Sequence, residues 1–143
     1  MSAIRSRLRC ERGQTIFILP IAFLIVLILG SATLEASNLF LRQRQLEDLA
    51  DSAASDAAGF GFDSEKFRAD GTITIIENQA RTSIVDSIDQ SNLRSAAVNT
   101  VVIVGPEVSV EISYTHDFIL GRQIFGASQT LTATGNATLV PSP

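Results

Sequence analysis

The residues that could do chemistry are few and scattered. His116 is the only imidazole and precedes Asp117, so it could act as a general base only beside a nucleophile and an orienting partner. The sequence contains no GxSxG, CxxC or HExxH motif and no phosphate-binding loop. The sole cysteine, Cys10, allows no internal disulfide. We therefore predict that the protein is not an enzyme.

Four acidic residues lie close together in the chain: Glu47, Asp48, Asp51 and Asp56. A metal site needs ligands that converge on one point, whereas these residues are spread along one predicted helix. This spacing is typical of a solvated helix face, and the sequence predicts no metal, cofactor or small-molecule substrate. Residues 35–143 carry 14 acidic against 7 basic residues, a charge of −7 that argues against nucleic-acid binding.

An uncharged segment precedes this acidic region. Residues 1–13 contain four Arg and one Glu, whereas Gly13 to Leu34 are 22 residues without a charge. As a helix they would extend about 33 Å, enough to cross the roughly 30 Å core of a bilayer. Because basic flanks stay on the cytoplasmic side, we predict a single-pass anchor in the cytoplasmic membrane, with the C-terminal part outside. A signal peptide cut near Ala32 or Ala36 is the alternative.

The helix pattern continues beyond the span. Neither Gly nor Pro occurs between Ser31 and Ala58, and Gly59 and Gly61 supply a stop. Apolar and small residues recur at helical spacing at Leu39, Leu46, Ala50, Ala53, Ala57 and Phe60. Small side chains let another backbone approach closely. We predict two uses for this helix: one face covers its own domain, and its membrane half meets neighbouring subunits.

The remaining residues predict a small α+β domain. A polar loop is expected at 63–72, then a helix capped by Asp70 or Thr72 with Ile73, Ile76, Ala80, Ile84 and Ile88 on one face. Strands are expected at 98–104, before the Gly105-Pro106 turn, and in EVSVEISYT and SQTLTATGNATLV, which alternate apolar and polar residues. Three or four antiparallel strands backed by two helices would bury one sheet face.

Four segments follow from these patterns. They are a cytoplasmic basic segment at 1–13, a transmembrane helix at 14–34, a membrane-proximal amphipathic helix at 35–61, and an extracytoplasmic α+β domain at 62–143.

The stretch ERGQTIFILPIAFLIVLILGSATLEASNLFLRQRQLEDLADSAASDAAG resembles the N-terminal region of TadE/TadG-like proteins, minor-pilin-like components of the tight adherence (Tad, or Flp) pilus assembly system. The resemblance rests on Arg12-Gly13 before the span, Pro20 in its first half and Glu35 at its exit, followed by the Ala-rich helix. It covers about 50 residues, and the remainder is similar only in pattern. It implies a pilin-like head, and as partners other pilus or pseudopilus subunits and the membrane assembly platform.

Gly13 is a possible processing site. Substrates of prepilin peptidase in related families carry Glu five residues after the cleaved Gly, but here that position is Ile18. The departure favours an uncleaved anchor. Glu35 does not replace the missing carboxylate, because it lies at the other end of the span, where we expect headgroups and water to solvate it.

Two functions are compatible with these features. One is a minor pilin-like or assembly component of a Tad/Flp-type pilus that acts through helix and head contacts. The alternative is a single-pass anchored extracytoplasmic binding or sensor module. The long unbroken helix favours the first, since a simple tether is more often a flexible linker.

Overall fold

The first element is one long helix. The computed structural model describes residues 7–93, 95–118 and 126–140, with side chains from Phe17 onward. Helix α1, Arg7–Gly61, has 55 residues and is continuous through Pro20, so it extends about 80 Å at ~1.5 Å per residue. The predicted membrane and amphipathic helices are therefore one element, with no break at residue 34. Residues 1–6 of the predicted basic segment lie outside the described part.

Close packing ends α1 at Gly61, as predicted. A Cβ at Gly61 would lie 2.7 Å from Cγ2 of Ile75 and 3.1 Å from Cβ of Ala80. The chain then turns back, with an isolated bridge between Phe62 and Ile75 and a 2.7 Å hydrogen bond from Ile76 N to Gly61 O. Only glycine fits where these two segments meet.

The segment after α1 corrects the prediction of a polar loop at 63–72. It forms a short helix, α2, Ser64–Asp70. Asp63 caps it, since its Oδ1 accepts a 3.0 Å hydrogen bond from Lys66 N. Gly71 ends it with a left-handed φ of 72°.

Helix α3 spans Glu77–Gln90, and its N-cap is Ile76 rather than Asp70 or Thr72. Asp70 and Thr72 lie instead at the end of α2, where Asp70 Oδ1 accepts a 2.9 Å hydrogen bond from Thr72 N. Hydrogen bonds from Thr72 also lower the pKa of Asp70. The predicted start at Ile73 is therefore wrong, whereas the predicted core positions Ala80, Ile84 and Ile88 are buried.

Three antiparallel strands follow, in the order β1-β2-β3. They are β1, Ala97–Val104, β2, Glu107–Asp117, and β3, Ser128–Thr138. Gly105, with φ of 60°, makes the β1–β2 turn. Strands β2 and β3 pair without a break from Glu107↔Thr138 to Asp117↔Ser128. The predicted α+β class and antiparallel sheet are confirmed.

One face of the sheet carries the core. Val108, Val110 and Ile112 of β2 are fully buried, together with residues of α1, α3 and β3. Each such side chain contributes about 1.5–3 kcal/mol when it leaves water. The other sheet face is polar on β2 and β3, whereas β1 exposes Val102 and Val104 there. On this face the side chain of Asn99, at the β1 irregularity, forms hydrogen bonds with Glu111 and Ser113. We call the part of the chain from Glu35 onward, which shares this core, the head. It has two layers, with the second half of α1 and α3 packed on one face of the sheet.

Helix α1 and strand β3 make an unusually close contact. A Cβ built on Gly135 would overlap the carbonyl group of Ala50 and lie 2.5 Å from Asp51 N. The helix backbone therefore lies directly on the strand, with no side chain between them. This distance requires glycine on the strand and a small residue on the helix.

We expect Gly135→Ala to destabilise the head by about 3 kcal/mol, because the added methyl group overlaps backbone atoms that cannot rotate away. Gly59→Ala is the matched control, since a Cβ there meets nothing within 4 Å and helical Ala is favoured over Gly by up to about 1 kcal/mol. Urea unfolding of the full chain in detergent, followed by fluorescence of its only tyrosine, Tyr114, measures both. Equal stability of the two variants would contradict the close contact.

Candidate functional site

The apolar half of α1, residues 17–34, contains no buried residue among the side chains that the structure describes. Its large apolar side chains between Phe17 and Leu29 are between 47% and 74% exposed. Such a surface is unfavourable in water and needs an apolar environment around the whole helix. In the described part of the chain, Phe17–Gly61 is the one helix long and apolar enough to cross a membrane. It is therefore compatible with membrane anchoring.

The hydroxyl groups near the end of this apolar half are satisfied within the helix. Ser31 Oγ donates to Ile28 O at 2.8 Å and Thr33 Oγ1 donates to Leu29 O at 2.8 Å. Ser37 Oγ repeats the pattern with Thr33 O at 2.9 Å. Each of these hydroxyl groups therefore donates to a carbonyl oxygen of its own helix. Because of this, it keeps a hydrogen bond when the helix is in an apolar medium.

The predicted interface residues lie mostly inside the protein's own head. Leu46, Ala50, Ala53 and Ala57 have no exposed surface, and Leu39 is partly buried against the same core. The small face of α1 thus covers its own domain, the first of its two predicted uses. Contact of these residues with another subunit stays a prediction.

The buried face is wider than the predicted stripe. Ala54 and Ala58 are buried as well, with 0% and 3% of their surfaces exposed. The sequence signal was the doubled repeat AASDAA at residues 53–58, which gives two adjacent rows of small side chains. Two rows allow α1 to pack against both the sheet and α3.

A buried acid–imidazole pair lies where α1 meets the C-terminal end of β2. Glu35 and His116 are each 5% exposed, and Glu35 Oε1 lies 3.9 Å from His116 Nε2. The expectation that headgroups and water solvate Glu35 is therefore wrong, because the head folds back onto the helix at this level. At 3.9 Å the contact is an ion pair only when the imidazole is protonated.

His116 belongs to strand β2, one residue before its end. The inward alternation Val108, Val110, Ile112 continues through β2, so residue 116 also faces the core. Its ring lies edge-on to Phe118, with centroids 5.6 Å apart, and its Nε2 has no hydrogen-bond partner. Extending the period-two pattern by two residues would have predicted this burial.

The acids of α1 do not converge. The amide Nε2 of Gln43 donates a 3.1 Å hydrogen bond to Glu47 Oε1, and a second of 3.1 Å to Thr132 O of β3. Asp48 and Asp51 are exposed. Among the described residues, no group of three or more His, Cys, Asp or Glu could hold a metal ion. Gly13, the possible processing site, lies within the backbone of α1, and the uncleaved anchor stays a prediction.

A family comparison matches α1. Residues 13–59 match the Tad family model, described as Flp pilus-assembly TadE/G-like. The match begins before the apolar half and ends with the small face, where the sequence resemblance was found. Residues after 59 lie outside it. No curated protein and no solved structure matches the chain.

We expect Glu35 and His116 to be energetically coupled. Glu35→Gln and His116→Phe should each lower the free energy of unfolding by about 1–3 kcal/mol, because each leaves a buried polar group facing a partner of the wrong kind. The free energy of unfolding of the double variant should fall by less than the sum of the two single losses, and the difference should be at least about 1 kcal/mol. Urea unfolding of the full chain in detergent measures the cycle.

The exposed pair Glu77–Arg81 is the control. Its atoms approach to 2.8 Å, but the two side chains are 63% and 51% exposed. Neutralising both should change stability by less than about 0.5 kcal/mol. Additive losses at Glu35 and His116 would mean that the two residues are neighbours without coupling.

Proposed function

We propose that the protein is a minor pilin-like or assembly component of a Tad/Flp-type pilus, because residues 13–59 match the TadE/G-like Flp pilus-assembly family model. In this proposal it is anchored in the cytoplasmic membrane by α1, with its N-terminus inside and its head outside. It acts by helix–helix and head contacts with other pilus subunits and the assembly platform. The role is structural, without catalysis.

One observation carries the proposal: a single continuous helix has two different environments. Its apolar half exposes the large apolar side chains from Phe17 to Leu29, whereas its second half is packed into the head by fully buried residues. A displacement or rotation of the membrane half is therefore passed to the head as a rigid unit. A binding module that only needed attachment would not require this coupling.

The contacts to other subunits use surfaces that the head leaves free. The small face of α1 is occupied by the head, so the available surface is the apolar half of α1 and the residues just above it. Leu34, Phe40 and Leu41 are 67%, 68% and 59% exposed. Phe40 and Leu41 lie on the level of the head but are not covered by it, which suits a contact with a second helix.

The proposed anchor is tested by fractionation and intact mass. We expect the full-length chain to stay in the membrane pellet after a carbonate wash, because the 22 uncharged residues form an apolar span. A mass lacking residues 1–32 or 1–36 would show a cleaved signal peptide instead. A mass lacking residues 1–13 would show processing after Gly13 and would contradict the uncleaved anchor.

Substitutions should separate a folding defect from an assembly defect. Ala53→Glu and Ala57→Glu each bury a carboxylate without a partner and cost several kcal/mol, so steady-state protein level and surface pili should both fall. Phe40→Glu adds charge on an exposed apolar surface, so the level should hold while pili are lost. Asp51→Lys, on an exposed position, should change neither.

The measurement is an immunoblot beside electron microscopy of pili, in a host whose own copy of the gene is deleted and replaced by each variant. Normal piliation in the deletion strain would reject the pilus role and favour the anchored binding module. Normal piliation with Phe40→Glu alone would reject this surface as the subunit contact.

A further inference from the structure

A groove runs between α1 and α3 on helix faces that the core does not use. Its volume is about 940 Å³, and it extends from Asp48 to Phe60 along α1 and from Asn78 to Ser91 along α3. The twelve-residue separation on α1 corresponds to about 18 Å, or three helical turns. The groove therefore has the length of a short helix.

The charge in this groove has one sign. Three carboxylates line it, those of Asp48, Asp56 and Asp86, and no Lys or Arg is among its lining residues. Asp56 is used within the fold, since its Oδ2 accepts a 2.8 Å hydrogen bond from Ser87 Oγ. Asp48 and Asp86 are exposed and make no such contact within the structure. Their two charges remain available to a partner.

The lining also permits a close approach. Apart from the carboxylates, the groove is lined mostly by short hydroxyl and amide side chains, such as Ser52 and Ser83. Phe60 lies at one end and is 72% exposed. A helix laid along the groove would find hydrogen-bonding groups along its length, acidic groups beside it and one aromatic ring at the end.

We propose that this groove binds a basic amphipathic helix of a different protein. A helix with Lys or Arg at i, i+4 and i+7 would place positive charge opposite Asp48 and Asp86. A second copy of this chain is the poorer occupant, because residues 35–143 carry a charge of −7 and repel one another. The inference rests on the groove alone and stands whether or not the protein acts in a pilus.

Binding is tested with the full chain in uncharged detergent and a fluorescent Ala-rich peptide of about 18 residues that carries four Lys on one helical face. The control peptide has the same composition with its Lys distributed around the helix. We expect the one-faced peptide to bind more tightly, and its affinity to fall as salt is raised. Equal binding of the two peptides would mean a diffuse attraction to negative charge and would overturn the proposal.

Matched variants locate the site. Asp48→Asn with Asp86→Asn should weaken binding of the one-faced peptide about tenfold, since two unpaired carboxylates are lost. Asp51→Asn with Asp89→Asn removes the same charge from exposed positions of the same two helices outside the groove, and should leave affinity within about twofold. Equal losses in the two double variants would reject the groove as the site.

The natural occupant is tested by photo-crosslinking in intact cells. A photoreactive residue at Ser83, in the groove, should crosslink to a basic helical segment of another protein, whereas one at Ser55, exposed and outside the groove, should not. The crosslinked segment is identified by peptide mass spectrometry. A crosslink to a second copy of this chain, to an acidic segment, or no crosslink at Ser83 would each overturn the proposal.

Discussion

The structure depends on how closely the backbone of α1 can approach the sheet. At Gly135 on β3 there is no room for a methyl group beneath the carbonyl of Ala50. The buried face of the helix continues with small residues at Ala53, Ala54, Ala57 and Ala58. Because the helix lies directly on the strand, large side chains of β2 and α3 can fill the space beside it, among them Val110 and Ile84. A larger residue at either contact point would lift the helix and open the core.

This contact makes the second half of α1 part of the head rather than a stalk. The helix is therefore one continuous element with two different surroundings. Its N-terminal half has exposed apolar side chains, whereas its C-terminal half is packed into the core. The change occurs at Glu35, directly after the uncharged span that ends at Leu34. There the head covers the carboxylate, and His116 Nε2 lies 3.9 Å from Glu35 Oε1. This buried polar pair favours one position of the head along the helix, because sliding the head by one turn would separate Glu35 from His116.

The differences from the sequence analysis have particular physical causes. The segment expected as a loop at 63–72 forms a helix because Asp63 caps its start through Lys66 N and Gly71 ends it in a left-handed conformation. The polar composition of the segment does not indicate either cap. The predicted cap of α3 was wrong because Asp70 is already bonded to Thr72. Glu35 was expected in contact with headgroups and water because it lies at the end of the uncharged span, whereas its burial comes from a strand far along the chain. The burial of His116 was not predicted because the alternating segment EVSVEISYT ends one residue before it.

The sequence by itself determined the elements whose signal is local: the uncharged span, the unbroken helix with its small face and glycine stop, and the alternation of β2 and β3. Each depends on periodicity within about 10–20 residues, which side-chain geometry converts directly into a helix or a strand. Only the tertiary structure decided what the small face covers, that Glu35 is buried beside His116, and that α1 and α3 leave a groove lined by carboxylates. The first two join residues about 80 positions apart, and the groove exists only because two helices are held side by side on one sheet. No local pattern encodes such a distance, since packing against a third element sets it.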